Sequence, residues 1–125
     1  MSRLENDRVV VQQKLPSNTM EIEMDGLVCF VYQIKCELNQ DYTLCLYFDG
    51  DYYQVKLVEP KLGTSYGAHS SHLYSDGRLC LSSTTNQGLK DLEQAYARSV
   101  LWATGFSFMR VKGEGATGGD FGWGG

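Results

Sequence analysis

Leu27-Val28-Cys29-Phe30-Val31-Tyr32-Gln33-Ile34-Lys35-Cys36, Tyr42-Thr43-Leu44-Cys45-Leu46-Tyr47-Phe48 and Tyr52-Tyr53-Gln54-Val55-Lys56-Leu57-Val58 are three runs rich in β-branched and aromatic residues. Their period is two. Val28, Phe30, Tyr32 and Ile34 share one face of the first run, and Tyr42, Leu44, Leu46 and Phe48 share one face of the second. Such alternation marks strands with one buried face, because successive side chains point to opposite sides. Asp49-Gly50 lies between the second run and the third. It is a strong hairpin signal, since both residue types tolerate positive φ. Short connections between consecutive runs predict a three-stranded antiparallel meander.

Helical patterns flank the meander. Arg3 to Leu15 reads as a short helix with Leu4, Val11 and Leu15 on one face, although Val9-Val10-Val11 is a β-branched run that lowers helix propensity. Pro16, Ser17 and Asn18 end it. Downstream, Pro60 closes the meander, and Lys61 to Leu79 has no periodicity and holds both histidines. A stretch of that length without regular structure is usually functional in a compact domain. Leu89 to Thr104 then reads as a helix, with Leu89, Leu92, Tyr96, Val100 and Ala103 at the spacing of one apolar face. Thr85 or Asn86 is expected to cap its start and Gly105 its end, with aromatic Phe106 to Val111 packing back on the domain. Helix, meander, long loop and helix make an α+β domain.

The chain has 125 residues, which suits one domain large enough to fold without disulfide staples. The organisation expected is a domain over 1–112 and a glycine-rich tail over 113–125, which carries seven of the 14 glycines. The net charge of −4 and the lack of a basic run argue against a nucleic-acid partner. No apolar run approaches the roughly 18 residues needed to cross a bilayer. The first seven residues lack the apolar core of a signal peptide, so no membrane association and a cytoplasmic location are expected. Cys29, Cys36, Cys45 and Cys80 are then expected to be thiols. With no CxxC pair and only His69 and His72 as nitrogen ligands, a structural zinc site is not expected.

Chemistry concentrates in His69-Ser70-Ser71-His72-Leu73-Tyr74-Ser75-Asp76-Gly77-Arg78-Leu79-Cys80-Leu81-Ser82. Asp76-Gly77 predicts a tight turn. If Leu79 and Leu81 point inward, Cys80 points outward, with His72 eight residues earlier across the turn. A free thiol is a few per cent thiolate near pH 7, roughly enough to attack an already activated acyl group. A donor such as the His72 imidazole then suits the oxyanion formed when an amine attacks the thioester. The competing reading is a small buried hydrophobe, the common fate of a lone cysteine and the one expected for Cys29, Cys36 and Cys45. A Cys/His protease is disfavoured because no histidine follows Cys80.

The segment from His72 to Leu81 resembles the active-site segment of ubiquitin-conjugating enzymes, in which a His-Pro-Asn motif leads through a glycine-containing turn to an Ile/Leu-Cys-Leu nucleophile. Aligning Gly77, Leu79, Cys80 and Leu81 places Ser70-Ser71-His72 on the His-Pro-Asn positions. His72 then falls in the slot of the oxyanion-stabilising Asn, a substitution within the motif. This version is similar to the bacterial branch of the family, especially the proteins of CBASS anti-phage operons. The order of elements agrees along most of the chain, with one helix and the glycine tail where eukaryotic members have C-terminal helices.

The resemblance implies an antiparallel meander with flanking helices in a shortened ubiquitin-conjugating fold. It implies a transferase that carries the C-terminal carboxylate of a cGAS/DncV-like nucleotidyltransferase as a thioester on Cys80 and passes it to a target nucleophile. No G-x-G-x-x-G or Walker loop is present, so ATP and other cofactors are not expected, and either a separate enzyme activates the partner or the protein works on a partner thioester or peptide bond itself. Asp76 and Arg78 are expected to shape the turn. Ser82 and Ser83, next to the nucleophile, are expected to belong to a hydroxyl-rich loop before the Leu89 helix rather than to gate the site, His69 is a candidate to assist, and Tyr66 and Tyr74 are candidates to line it. Alternatives are a carrier enzyme in a bacterial ubiquitin-like pathway and a non-catalytic binding module of the same fold. A modifier ending in Gly124-Gly125 is weaker, because that dipeptide closes a tract already full of glycine.

Overall fold

Four strands form one antiparallel sheet in the order β1-β2-β3-β4: β1 (Met20–Met24), β2 (Leu27–Cys36), β3 (Gln40–Phe48) and β4 (Tyr53–Glu59). The computed structural model describes residues 2–36, 40–60, 73–74, 76–81 and 88–112, with Gln40 and residues 108–112 described by their backbone. Two helices complete the described residues, α1 (Arg3–Lys14) and α2 (Leu92–Lys112).

The predicted meander is present and gains a strand. β1 pairs with β2 from Met20↔Val31 to Met24↔Leu27 across Asp25 and Gly26, whose φ values are 52° and 81°. Two consecutive residues at positive φ give the turn twist that suits a two-residue hairpin. The connection after β3 is longer than Asp49-Gly50 alone suggests. It runs through Asp49 to Tyr52, and the Asp49 carboxylate accepts from the N–H groups of Asp51 and Tyr52 at 2.8 Å each. Gly50, not Asp49, takes the positive φ there.

Alternation places Phe30, Tyr32, Tyr42, Leu44, Leu46, Tyr53 and Val55 on the buried face. α2 covers that face with Leu92, Ala95, Trp102, Ala103 and Phe106. Trp102 stacks on Phe106 at 4.8 Å between ring centroids, and Tyr42 meets both rings edge-on. The polar atoms in this core are satisfied. The Ser99 hydroxyl donates to the Tyr96 carbonyl at 2.6 Å, which leaves the Tyr32 hydroxyl to donate to Ser99 at 2.7 Å. Ser107 donates to the Tyr42 hydroxyl at 2.8 Å.

α2 departs from its sequence-predicted bounds at both ends. It begins at Leu92, where Asp91 caps it by accepting from the Gln94 N–H at 3.1 Å. Thr85 and Asn86 lie outside the described residues. Gly105 does not end the helix but sits inside it. A mid-helix glycine costs about 1 kcal/mol relative to alanine. Continuing the helix buries Phe106, and burying a side chain of that size is worth about 1.5–3 kcal/mol, so continuation wins.

α1 follows its prediction closely. Ser2 caps it by accepting from the Glu5 N–H at 3.1 Å, and the Leu15 N–H closes the other end on the Val11 carbonyl. The β-branched run is tolerated because Val10 and Val11 pack against the core. α1 is tied to the sheet by a buried carboxylate. Tyr53 donates its hydroxyl to Asp7 at 2.8 and 3.0 Å, and Arg3 pairs with the same Asp7 one turn earlier. Arg3 is half-exposed, so the ion pair adds little. The Tyr53 contact decides the outcome of truncation. Asp7→Ala leaves a buried hydroxyl without its acceptor and is expected to lower unfolding stability by about 1–3 kcal/mol. Urea denaturation checks this, and an unchanged midpoint would show that Asp7 does not anchor α1.

Candidate active site

β4 has a free edge opposite β3, and the segment around Gly77 to Leu79 occupies it. The Leu57 N–H donates to the Gly77 carbonyl at 2.9 Å, the Leu79 N–H donates to the Val55 carbonyl at 2.8 Å, and Lys56 bridges Arg78 in antiparallel fashion. The segment also folds back on itself. Leu73 bridges Leu79, the Tyr74 N–H donates to the Arg78 carbonyl at 2.8 Å, and the Gly77 N–H donates to the Tyr74 carbonyl at 2.9 Å. Gly77 closes this turn at φ +93°, a conformation that side chains other than glycine rarely adopt. A Cβ there would come 3.2 Å from the Lys56 side chain.

This edge sets the direction of Cys80. Leu79 and Leu81 are fully buried in the core beneath the sheet, and Cys80 between them is half-buried. The Tyr74 hydroxyl donates to the Cys80 sulfur at 3.3 Å. Burial and then this hydrogen bond push the Tyr74 phenol up to about 12. The Arg78 guanidinium lies over the Tyr74 ring, 5.2 Å from its centroid.

Asp76 braces the turn by accepting from the Arg78 N–H at 3.0 Å and from its Nε at 2.8 Å. Partial burial opposes ionisation of Asp76, but these contacts outweigh it and hold its carboxyl below the usual carboxylate range. A depressed folded-state pKa contributes stability above the unfolded value and loses it as pH falls through the folded one. Asp76→Asn is therefore expected to shallow the acid limb of the stability curve below about pH 4. The effect is small, since the Asp76 side chain is half-exposed. Denaturant midpoints taken between neutral and acid pH check it, and an acid limb identical to wild type would count against the Asp76–Arg78 pairing.

The other cysteines differ from Cys80. Cys29 and Cys45 are buried, on the sheet face away from α2. Desolvation and then the neighbouring Cys29 push the Cys45 thiol up to about 12. Cys36 is half-buried at the end of β2. Among the described residues, no three metal-ligating side chains gather at one place, and no helix is long and apolar enough to cross a membrane.

The structure thus brings Cys80, Tyr74, Asp76, Gly77 and Arg78 together. His72, His69, Ser70, Ser71, Tyr66, Ser82 and Ser83 lie outside the described residues, as does the tail 113–125. Tyr74 is legible from sequence only as a neighbour. The signal that promotes it is the hairpin register, which sets Tyr74 opposite Arg78 and so diagonal to Cys80.

Fold and site together define an α+β protein that presents a cysteine thiol at the edge of a meander, between two core leucines. Residues 8–109 match the family model described as Type II CBASS E2 protein. The match spans most of the chain, and the chain belongs to that family, as an E2-like protein of CBASS defence. No curated protein and no solved structure matches it.

Proposed function

We propose that the protein is a ubiquitin-conjugating-type acyl transferase whose nucleophile is Cys80. It accepts the C-terminal carboxylate of a partner protein of its operon as a thioester and passes it to an amine or another nucleophile. The partner is a cGAS/DncV-like nucleotidyltransferase, activated by a separate enzyme. Residues 1–112 form the working domain in the cytoplasm, 113–125 its tail, and His72 is the oxyanion donor.

The observation that carries this reading is the placement of Cys80, half-buried on an edge segment pinned to β4 while Leu79 and Leu81 anchor it from below. Acyl transfer from one sulfur to another needs a thiol in this position and little else, because the acyl group arrives activated. Family membership supports the same chemistry. The test is to incubate the protein with the nucleotidyltransferase and an activating enzyme and to look for an adduct that thiol reductant removes. An adduct of the summed masses is expected. Its absence with all components folded would leave the non-catalytic binding module as the better reading.

A further inference from the structure

We infer that Tyr74 is a catalytic hydrogen-bond donor to the Cys80 sulfur, stabilising the thiolate that departs when the thioester is discharged. The inference rests on Cys80 being the acyl carrier and assigns a role to a side chain of the His72–Leu81 segment that the resemblance leaves without one.

The step fixes what a useful donor must do. The amine nitrogen attacks the thioester carbonyl carbon, and a C–N bond forms. The C–S bond then breaks, its electron pair goes to the Cys80 sulfur, and the surplus proton of the amine goes to solvent. Negative charge therefore develops on sulfur as well as on the carbonyl oxygen. A donor fixed in advance at the atom where charge develops needs no reorganisation during reaction. Tyr74 meets that description. Its hydroxyl points at the sulfur from 3.3 Å, and its backbone is held by bonds to Arg78 and Gly77. The Arg78 guanidinium covers its ring, and Asp76 in turn fixes that guanidinium.

The phenol acts as a donor of a hydrogen bond, not of a proton. With its pKa pushed up to about 12, it stays protonated throughout the neutral range. Sulfur is a weaker acceptor than oxygen, so the loss on removing this donor should fall below the 100- to 1,000-fold typical of an oxyanion donor, at about tenfold.

The test needs no partner protein. Cys80 is acetylated with p-nitrophenyl acetate, and discharge to hydroxylamine is followed by the mass of the Cys80 peptide. Tyr74→Phe keeps the ring under Arg78 and removes only the hydroxyl. It is expected to slow discharge about tenfold at an unchanged thermal midpoint. Discharge at the wild-type rate would overturn the inference, as would failure of wild-type Cys80 to acetylate. Should Tyr74→Phe be unstable, 3-fluorotyrosine at position 74 replaces it as the probe. A more acidic phenol donates more strongly and should speed discharge, and an unchanged rate would again overturn the inference. The proposed function is judged separately. A tenfold effect on acetyl discharge without any adduct to the nucleotidyltransferase would reject that partner reaction and leave the role of Tyr74 standing.

Discussion

Alanine at position 80 is expected to abolish the reductant-labile adduct, and serine there to replace it with one that survives reductant. The loss for Cys80→Ala should be on the order of 10⁴-fold or more, down to uncatalysed background, as when an enzyme loses its nucleophile. Serine supplies a hydroxyl in the same place, and the resulting oxyester is not exchanged by thiols. The prediction is sharp because the other thiols are poor substitutes. Cys29 and Cys45 are buried, and Cys45 stays protonated at neutral pH because its thiol is pushed up to about 12. Cys36 is half-buried, but it lies at the end of β2, away from the edge of β4 that carries Cys80. Stability should scarcely change, since Cys80 is only half-buried and its two leucine neighbours keep the segment in place. Reducing and non-reducing gels of wild type, Cys80→Ala and Cys80→Ser read the outcome directly. A reductant-labile adduct of wild-type yield on Cys80→Ala would reject Cys80 as the carrier.

The placement of that cysteine is legible in the sequence because it follows from a period of two. Once Leu79 and Leu81 belong to the core, Cys80 must face the other way, and both leucines are fully buried. The meander is legible for the same reason, since its inward residues are large and apolar. β1 is not. Met20-Glu21-Ile22-Glu23-Met24 alternates, but Met20 and Met24 lie on the face that α2 leaves uncovered, and Met and Glu are weak strand formers. Asp25-Gly26 carries the missing hairpin signal, the same dipeptide type that marks the turn at Asp49-Gly50. The true face of α2 is blurred by Ser99 and Ser107, which are buried because tyrosines on the sheet satisfy them. Gly105 looks like a stop signal only because the value of burying Phe106 depends on a tertiary neighbour, Tyr42 on β3. Tyr74 depends on a register within the turn, which no local pattern specifies.

Gly88→Ala should be among the most destabilising single-methyl additions in the chain, by about 3 kcal/mol or more. A Cβ at Gly88 would sit 2.0 Å from the Tyr53 carbonyl oxygen and 2.9 Å from the Tyr53 carbonyl carbon. Both are backbone atoms in β4, so no rotamer change relieves the clash. Something in the backbone must move, and the nearest contacts to give way are two hydrogen bonds. The Tyr53 N–H donates to the Leu89 carbonyl at 2.7 Å, and the Leu89 N–H donates to the Tyr53 carbonyl at 3.0 Å. Leaving buried backbone groups unpaired costs about 1–3 kcal/mol each. The damage also reaches α1, because Tyr53 holds Asp7. Glycines at turns supply the contrast. Gly50 has φ +109° and open space within 4 Å of where a methyl group would stand, so Gly50→Ala meets conformational strain alone, about 1–2 kcal/mol. Denaturant unfolding of the two variants side by side makes the comparison. Equal stability losses would mean that the Tyr53–Leu89 bridge does not hold the segment beyond Cys80 to the sheet. A much larger loss for Gly88→Ala would show that this bridge, rather than Cys80 itself, secures the scaffold on which the thiol is presented.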